Sequence, residues 1–238
     1  MLVGNDPASH LYVSLKERSA LEDGLHFEKH VFAETASEEE VIRVIETLNQ
    51  NAAVQGIIVQ LPLPQGFDAD RIIATIDLKK DADGFHQGNV ERFLQGEQDK
   101  IPVFPEALLE LLKSSQEKLR GKTAVIIANS GYFGEVMKKA CADQGLETEV
   151  VLSTELAHKT EVVRSADVVL TACGVPGSID GECIALGAIL IDGGIAKQDG
   201  RVVGDVNAEQ VALQANYLSP VPGGVGPVTI ACLLRKVV

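Results

Sequence analysis

The sequence predicts an α/β fold of two domains, the second a Rossmann-like, doubly wound parallel sheet. Apolar runs alternate with helix-period stretches along almost the whole chain, the pattern of parallel strands covered by helices. In the second half the rhythm becomes strand, turn, helix, strand, as in doubly wound nucleotide-binding domains. The length, 238 residues, accommodates one large domain or two small ones.

Taken in order, Asp6-Pro7 reads as an N-cap followed by an N1 proline, opening a helix to about Ala20. Residues 26–32 alternate and suit a strand. Ser37-Glu38-Glu39-Glu40 is a capping box ahead of Val41, Ile42, Val44, Ile45 and Leu48 at helical spacing. Residues 56–59 form a buried strand that stops at Gln60-Leu61-Pro62-Leu63-Pro64, since proline cannot donate to a ladder. Asp68 caps a helix to about Ile76, residues 79–84 are a polar loop, and a helix runs from about Pro105 to Ser115. The polar stretch 114–121 suits an interdomain connection. Strands follow at 123–127, 147–152, 167–172 and 188–192, with a helix from the loop at 130–134 to about Gln144. Residues 220–227 form a Pro/Gly loop, and Pro227 at N1 opens a closing helix over 228–236.

Composition narrows the function. With 34 acidic and 21 basic residues the net charge is −13, which disfavours nucleic acid and anionic membrane surfaces. No apolar run reaches a membrane span, and Met1 to Pro7 does not read as a signal peptide. Cys141, Cys173, Cys183 and Cys232 show no metal-ligand spacing and sit among apolar neighbours, so the expectation is reduced thiols, a cytoplasmic location and no metal.

Ser9, Tyr12 and Lys16 share one helix face, a hydroxyl, a phenol and an amine suited to proton transfer if the face lines a cleft. From spacing alone a solvated lysine beside a half-buried tyrosine is the plainer reading. Gln60 follows a buried strand, where α/β sheets form ligand crevices, and can both donate and accept. Asp83 precedes a glycine, which an Asx-turn alone explains. The loop Ala128-Asn129-Ser130-Gly131-Tyr132-Phe133-Gly134 lies between strand and helix but departs from G-x-G-x-x-G. Glu155 stands where a ribose-binding acid is expected, and equally where a first-turn helix acid is. Pro222-Gly223-Gly224-Val225-Gly226-Pro227 and Asp192-Gly193-Gly194-Ile195 allow close backbone approach to a ligand, a flat group in the second case.

Together these segments resemble the bifunctional methylenetetrahydrofolate dehydrogenase/methenyltetrahydrofolate cyclohydrolase family. The likeness is carried by Val3-Gly4, Pro7-Ala8-Ser9, Tyr12-Val13 with Lys16, residues 56–64, Lys80-Asp81-Ala82-Asp83-Gly84-Phe85-His86, Gly121-Lys122, Asp192 with Gly194-Ile195, Val203-Gly204-Asp205-Val206, and residues 220–231. It spans nearly the whole chain. It implies a folate-binding catalytic domain, 1–116 plus 222–238, and an NAD(P)-binding domain, 117–221, with a cleft between them. In that reading Lys16 is the acid/base residue, positioned by Gln60 and near Ser9. Tyr12 stacks on the pterin side of the substrate and Asp83 holds the pterin edge. Val59, Leu61, Pro222, Gly223 and Gly224 complete the substrate site. Ala128, Asn129, Ser130, Gly134, Ser153 and Ile195 contact NADP or NAD. The implied chemistry is oxidation of 5,10-methylenetetrahydrofolate to the methenyl form, then hydrolysis to 10-formyltetrahydrofolate, by a cytoplasmic homodimer.

The pattern also departs from the family. An opening helix and a full first strand ordinarily precede the Val-Gly step, whereas here Met1-Leu2 stand directly before it. The loop that usually reads Gly-Arg-Ser is Ala128-Asn129-Ser130, Val136 replaces a proline, and Leu152-Ser153 replaces His-Ser. Without that arginine nothing in the loop forms a charge-assisted pair with a 2′-phosphate, so no preference for NADP over NAD is expected. Pro102-Val103-Phe104-Pro105-Glu106-Ala107 stands for Pro-Cys-Thr-Pro-x-Gly. These departures keep two alternatives open, a cyclohydrolase alone and a folate-binding protein that has lost its cofactor.

Overall fold

In the computed structural model, which describes residues 1–238, the first helix starts on its sequence signals. The Asp6 carboxylate accepts from Ser9 N at 2.8 Å and Pro7 opens α1 (Pro7–Glu22). Gly24, at a φ of +76°, supplies the left-handed turn that ends it. The capping box of α2 (Glu38–Gln50) is formed, and α2 buries Val41 and Ile45. The Asp68 side chain caps α3 (Ala69–Ile73), which is shorter than expected.

These elements belong to a first unit, Met1–Val103 with Ile230–Val238. Its core gathers Val3, Val41, Ile45, Ile57, Val59, Ile72, Ile73 and Ile76. The strand expected over 26–32 contracts to β2 (Val31–Phe32), because its parallel partner β1 (Leu2–Val3) offers only two residues to the ladder. The expected strand over 56–59 is not a ladder either. Ile57 makes one parallel bridge to Asp81, donating to Lys80 O at 2.7 Å and accepting from Ala82 N at 3.3 Å. The sequence reading contained no helix at α4 (Gln87–Leu94). Its cap is the ring of His86, whose Nδ1 accepts from Gly88 N at 3.0 Å, and it buries Asn89, Val90 and Phe93.

The second unit is Phe104–Thr229, so the stretch 114–121 lies inside it. It contains most of α5 (Val103–Ser114), then β3 (Thr123–Ala128), α6 (Gly131–Ala142), β4 (Glu147–Leu152), α7 (Thr160–Arg164), β5 (Val168–Ala172) and β6 (Ile189–Asp192). A hairpin of β7 (Ala196–Gln198) and β8 (Arg201–Val203), then α8 (Ala208–Val211) and β9 (Tyr217–Leu218), complete it. The five-stranded sheet runs β4-β3-β5-β6-β9, every pair parallel. β3, β5 and β6 are mostly apolar, Thr123, Thr171 and Asp192 excepted, because helices cover a parallel sheet on both faces. The chain order turns back beside β3, placing a topological switch point at the carboxyl ends of β3 and β5.

The closing helix α9 is Val225–Arg235, so Pro227 sits within its first turn rather than at N1, where a missing N–H is equally harmless. No helix is long and apolar enough to cross a membrane.

Candidate functional site

In the first unit, α1 carries Ser9, Tyr12 and Lys16, and the chain leaving the core at Val59 carries Gln60. Lys16 Nζ donates to Gln60 Oε1 at 3.3 Å, while Gln60 Nε2 donates to Leu61 O at 2.6 Å. The second bond fixes which end of the amide faces the lysine. Gln60 and Val59 are buried, and Leu61 is half-buried. Asp83 is also buried, and its backbone carbonyl accepts from Val103 N at 3.0 Å. Burial pushes the Asp83 carboxyl above its ordinary range, against the opposing pull of the Lys16 charge. Burial likewise raises the Tyr12 phenol. The Ser9 hydroxyl is buried without a hydrogen-bond partner. Folding thus brings Lys16 and Gln60 into contact and puts a desolvated carboxyl within reach of the lysine's charge. The turn at 81–86 owes its shape to the neighbouring Asp81, whose carboxylate accepts from Gly84, Phe85 and His86 N.

In the second unit, Asn129 ties three strand ends together. Its Nδ2 donates to Cys173 O after β5 at 2.6 Å, and its Oδ1 accepts from Ser153 Oγ after β4 at 2.7 Å. Ser130 caps α6, accepting from Phe133 N at 3.2 Å. At Gly131 no atom lies within 4 Å of where a Cβ would stand, so the loop is open at the helix N-terminus. At Gly134 a Cβ would meet Val150 Cγ1 at 2.5 Å, which gives that glycine a helix–strand packing role. Glu155 accepts from Leu152 N at 3.4 Å and pairs with Lys159 at 3.7 Å.

The glycines after β6 and Gly224 meet the protein's own atoms, whereas a Cβ on Gly223 would meet none within 4 Å. A Cβ on Gly194 would fall 2.2 Å from Asp205 Cγ, and one on Gly193 would fall 3.0 Å from the Phe104 ring. The expected close approach of a flat group at 193–194 is therefore corrected: a buried carboxylate and an aromatic edge occupy that space. Phe104 also stacks, tilted, on Phe133 with ring centroids 5.7 Å apart. Gly224 folds against Pro220 O, where a Cβ would stand 2.4 Å away, and Gly223 has a φ of +103°. Pro222, Gly223 and Gly224 belong to the second unit, while Ile195 is exposed beyond β6. Sequence reasoning missed Thr171, Asp192 and Asp205 as a buried group; the signal available was the glycine beside each aspartate. No three His, Cys, Asp or Glu side chains are placed to hold a metal.

The first 83 residues match the catalytic-domain model of tetrahydrofolate dehydrogenase/cyclohydrolase, and residues 102–238 match its NAD(P)-binding-domain model. The chain belongs to the tetrahydrofolate dehydrogenase/cyclohydrolase family. Within the family it is 40% identical over 237 residues to the bifunctional protein FolD of Streptococcus mutans, covering 99% of this chain and 83% of that protein. Among solved family structures, the bifunctional FolD of Campylobacter jejuni superposes with a TM-score of 0.93 at 36% identity, covering 99% of this chain and 84% of that one. The Trypanosoma brucei FolD, solved with NADP and an inhibitor, gives 0.92 at 33% identity, with coverage of 99% and 83%.

Proposed function

We propose that this chain oxidises 5,10-methylenetetrahydrofolate to 5,10-methenyltetrahydrofolate with NAD or NADP and hydrolyses the product to 10-formyltetrahydrofolate. The observation that carries the reading is the Lys16–Gln60 hydrogen bond at 3.3 Å, beside a buried aspartate, in a chain of this family. The second unit fits a dinucleotide: an open parallel sheet with a switch point, and a helix N-terminus at Gly131 with room for close approach. Ser130, Asn129 and Ser153 would hold it there, and the bound nicotinamide would supply the hydride acceptor.

Hydrolysis needs more from the protein. Water adds to the methenyl carbon and loses a proton. The proton of the hydroxyl so formed then passes to a ring nitrogen as that nitrogen's bond to the carbon breaks and the C=O forms, leaving the formyl group on the other nitrogen. Lys16 serves both proton transfers, and Gln60 aims its amine. Tyr12 covers the pterin ring, Asp83 accepts from its edge, and Val59 and Leu61 add further substrate contacts in the first unit. Hydride transfer requires alignment but no acid or base at the carbon. The same reading takes in a homodimer working in the cytoplasm, which rests on the family resemblance.

The test compares wild type with Lys16→Met. Methenyltetrahydrofolate decay, corrected for spontaneous hydrolysis, should fall by about 10²–10⁴, with a smaller loss in NAD(P)-dependent oxidation. Equal hydrolysis by both proteins removes Lys16 from the mechanism. Wild type no faster than buffer removes the hydrolase.

A further inference from the structure

The carboxyl ends of β5 and β6 are joined by two buried aspartates to which the chemistry above assigns nothing. Asp205 has no exposed surface. Its Oδ2 accepts from Thr171 Oγ1 at 2.6 Å and Cys173 N at 2.7 Å, and its Oδ1 accepts from Val175 N at 2.7 Å. Its backbone carbonyl accepts from Ile179 N at 3.1 Å and Ser178 Oγ at 3.4 Å. The loop 173–179 is therefore pinned at its start, middle and end by one residue that lies far along the chain.

Asp192 holds Asp205 in turn. Its Oδ1 accepts from Gly194 N at 2.9 Å and Asp205 N at 3.1 Å, and its Oδ2 from Val206 N at 2.9 Å. Each carboxylate lies flat on a glycine of the other's segment. A Cβ on Gly204 would fall 2.0 Å from Asp192 Oδ2, just as one on Gly194 would collide with Asp205. This reciprocal packing explains Asp192-x-Gly194 and Gly204-Asp205 as one device. Hydrogen bonds to a buried carboxylate are among the strong ones, so the loop has little freedom.

The pinned loop leaves β5 at the switch point, where open α/β sheets take flat ligands. Gly174 and Gly177, both at a φ of +68°, leave space on it. Val175 and Ile195 are exposed apolar side chains on the two loops, and the Gly174 Cβ position is 3.7 Å from Ile195 O.

We infer that Asp205, locked by Asp192, is a positioning residue that fixes the loop 173–178 and Ile195 as an apolar wall for the nicotinamide ring of the cofactor. This rests on the dinucleotide reading of the second unit. Neither aspartate touches the cofactor; both act through the loops.

The test uses the full chain with Asp205→Asn, whose amide NH₂ would face N–H donors, and the milder Thr171→Val. Hydrogen exchange should speed at least tenfold at the Cys173 and Val175 amides in Asp205→Asn, with Ile126 and Leu170 unchanged. The KM for NAD should rise at least tenfold, with methenyltetrahydrofolate hydrolysis within twofold of wild type. Thr171→Val should show the same pattern, smaller. Unchanged exchange at Cys173 and Val175 overturns the inference. So does faster exchange across the whole sheet in both variants, which marks a purely structural pair, and so does local loosening with an unchanged KM. If wild type binds no dinucleotide in titration, the functional reading fails, and with it the assignment of the wall to nicotinamide; the exchange data then still decide whether Asp205 pins the loop.

Discussion

Asp83 is a carboxyl that folding removes from water within reach of the Lys16 charge, and burial wins over attraction. The folded protein therefore holds this proton more tightly than the unfolded chain, whose ordinary value is 3.8. The stability from that proton is fully present below the unfolded value and is lost as pH rises through the raised folded one. Well above the unfolded value, keeping this carboxyl buried is a net cost. Asp83→Asn should thus melt higher than wild type at pH 8, with the gain shrinking as pH falls towards 4. The same variant should hydrolyse methenyltetrahydrofolate more slowly at pH 8, since an amide replaces the acceptor for the pterin edge. Melting curves at the two pH values check the first point. A variant that melts lower at pH 8 would mean that the lysine stabilises the carboxylate after all. Asn129 is the contrasting residue. Its amide is committed to Cys173 and Ser153, so it braces strand ends where the family pattern has a cation.

Elements were legible where the signal is local. The N-cap and proline of α1, the capping box of α2 and the apolar runs of β3, β5 and β6 all lie within a few residues of the structure they specify. Helix α4 was not legible, because a histidine ring serves as its cap and the helix has only eight residues. Residues 56–59 read as a strand because burial and extension look alike in sequence, while a ladder depends on what lies alongside. The Asp192–Asp205 pair was not legible because it links segments through tertiary contact. Of the site, spacing put Lys16 on one helix face with Ser9 and Tyr12, the family pattern paired it with Gln60, and their contact came from the fold. Gly134 offers a test of packing at this scale. Adding a methyl there drives it into Val150, so α6 and β4 must separate. Gly134→Ala should cost about 1–3 kcal/mol, and Val150→Ala should restore part of it in a double-mutant cycle. Denaturant titration of the four proteins measures the coupling; additive effects would mean that the helix shifts without resistance.

The chain path makes the two units unequal in independence. The second is one continuous run, Phe104–Thr229, and one of its apolar clusters, from Val125 to Leu218, lies wholly within that run. The five strands of its sheet pair only with one another, and β7 pairs only with β8. The first unit needs both ends of the chain. Cys232, Leu233 and Leu234 of α9 are buried, Val237 fills the space beside Gly56, and the Lys236 amine donates to Ile101 O. Burying a leucine is worth about 1.5–3 kcal/mol, and a domain is stable by only about 5–15, so losing this tail removes a large fraction of the margin. Residues 104–229 made alone should therefore melt cooperatively and bind NAD, although the cut leaves only the first turn of α9. Residues 1–103 alone should show no cooperative transition, and should regain one when 230–238 is joined back through a flexible linker. Circular dichroism melts of the three proteins, with calorimetric titration of NAD into the first, decide the matter. A cooperative 1–103 would show that α2, α3 and the 56–60 segment form a sufficient core without α9. A non-cooperative 104–229 would show that its sheet depends on residues outside its own run.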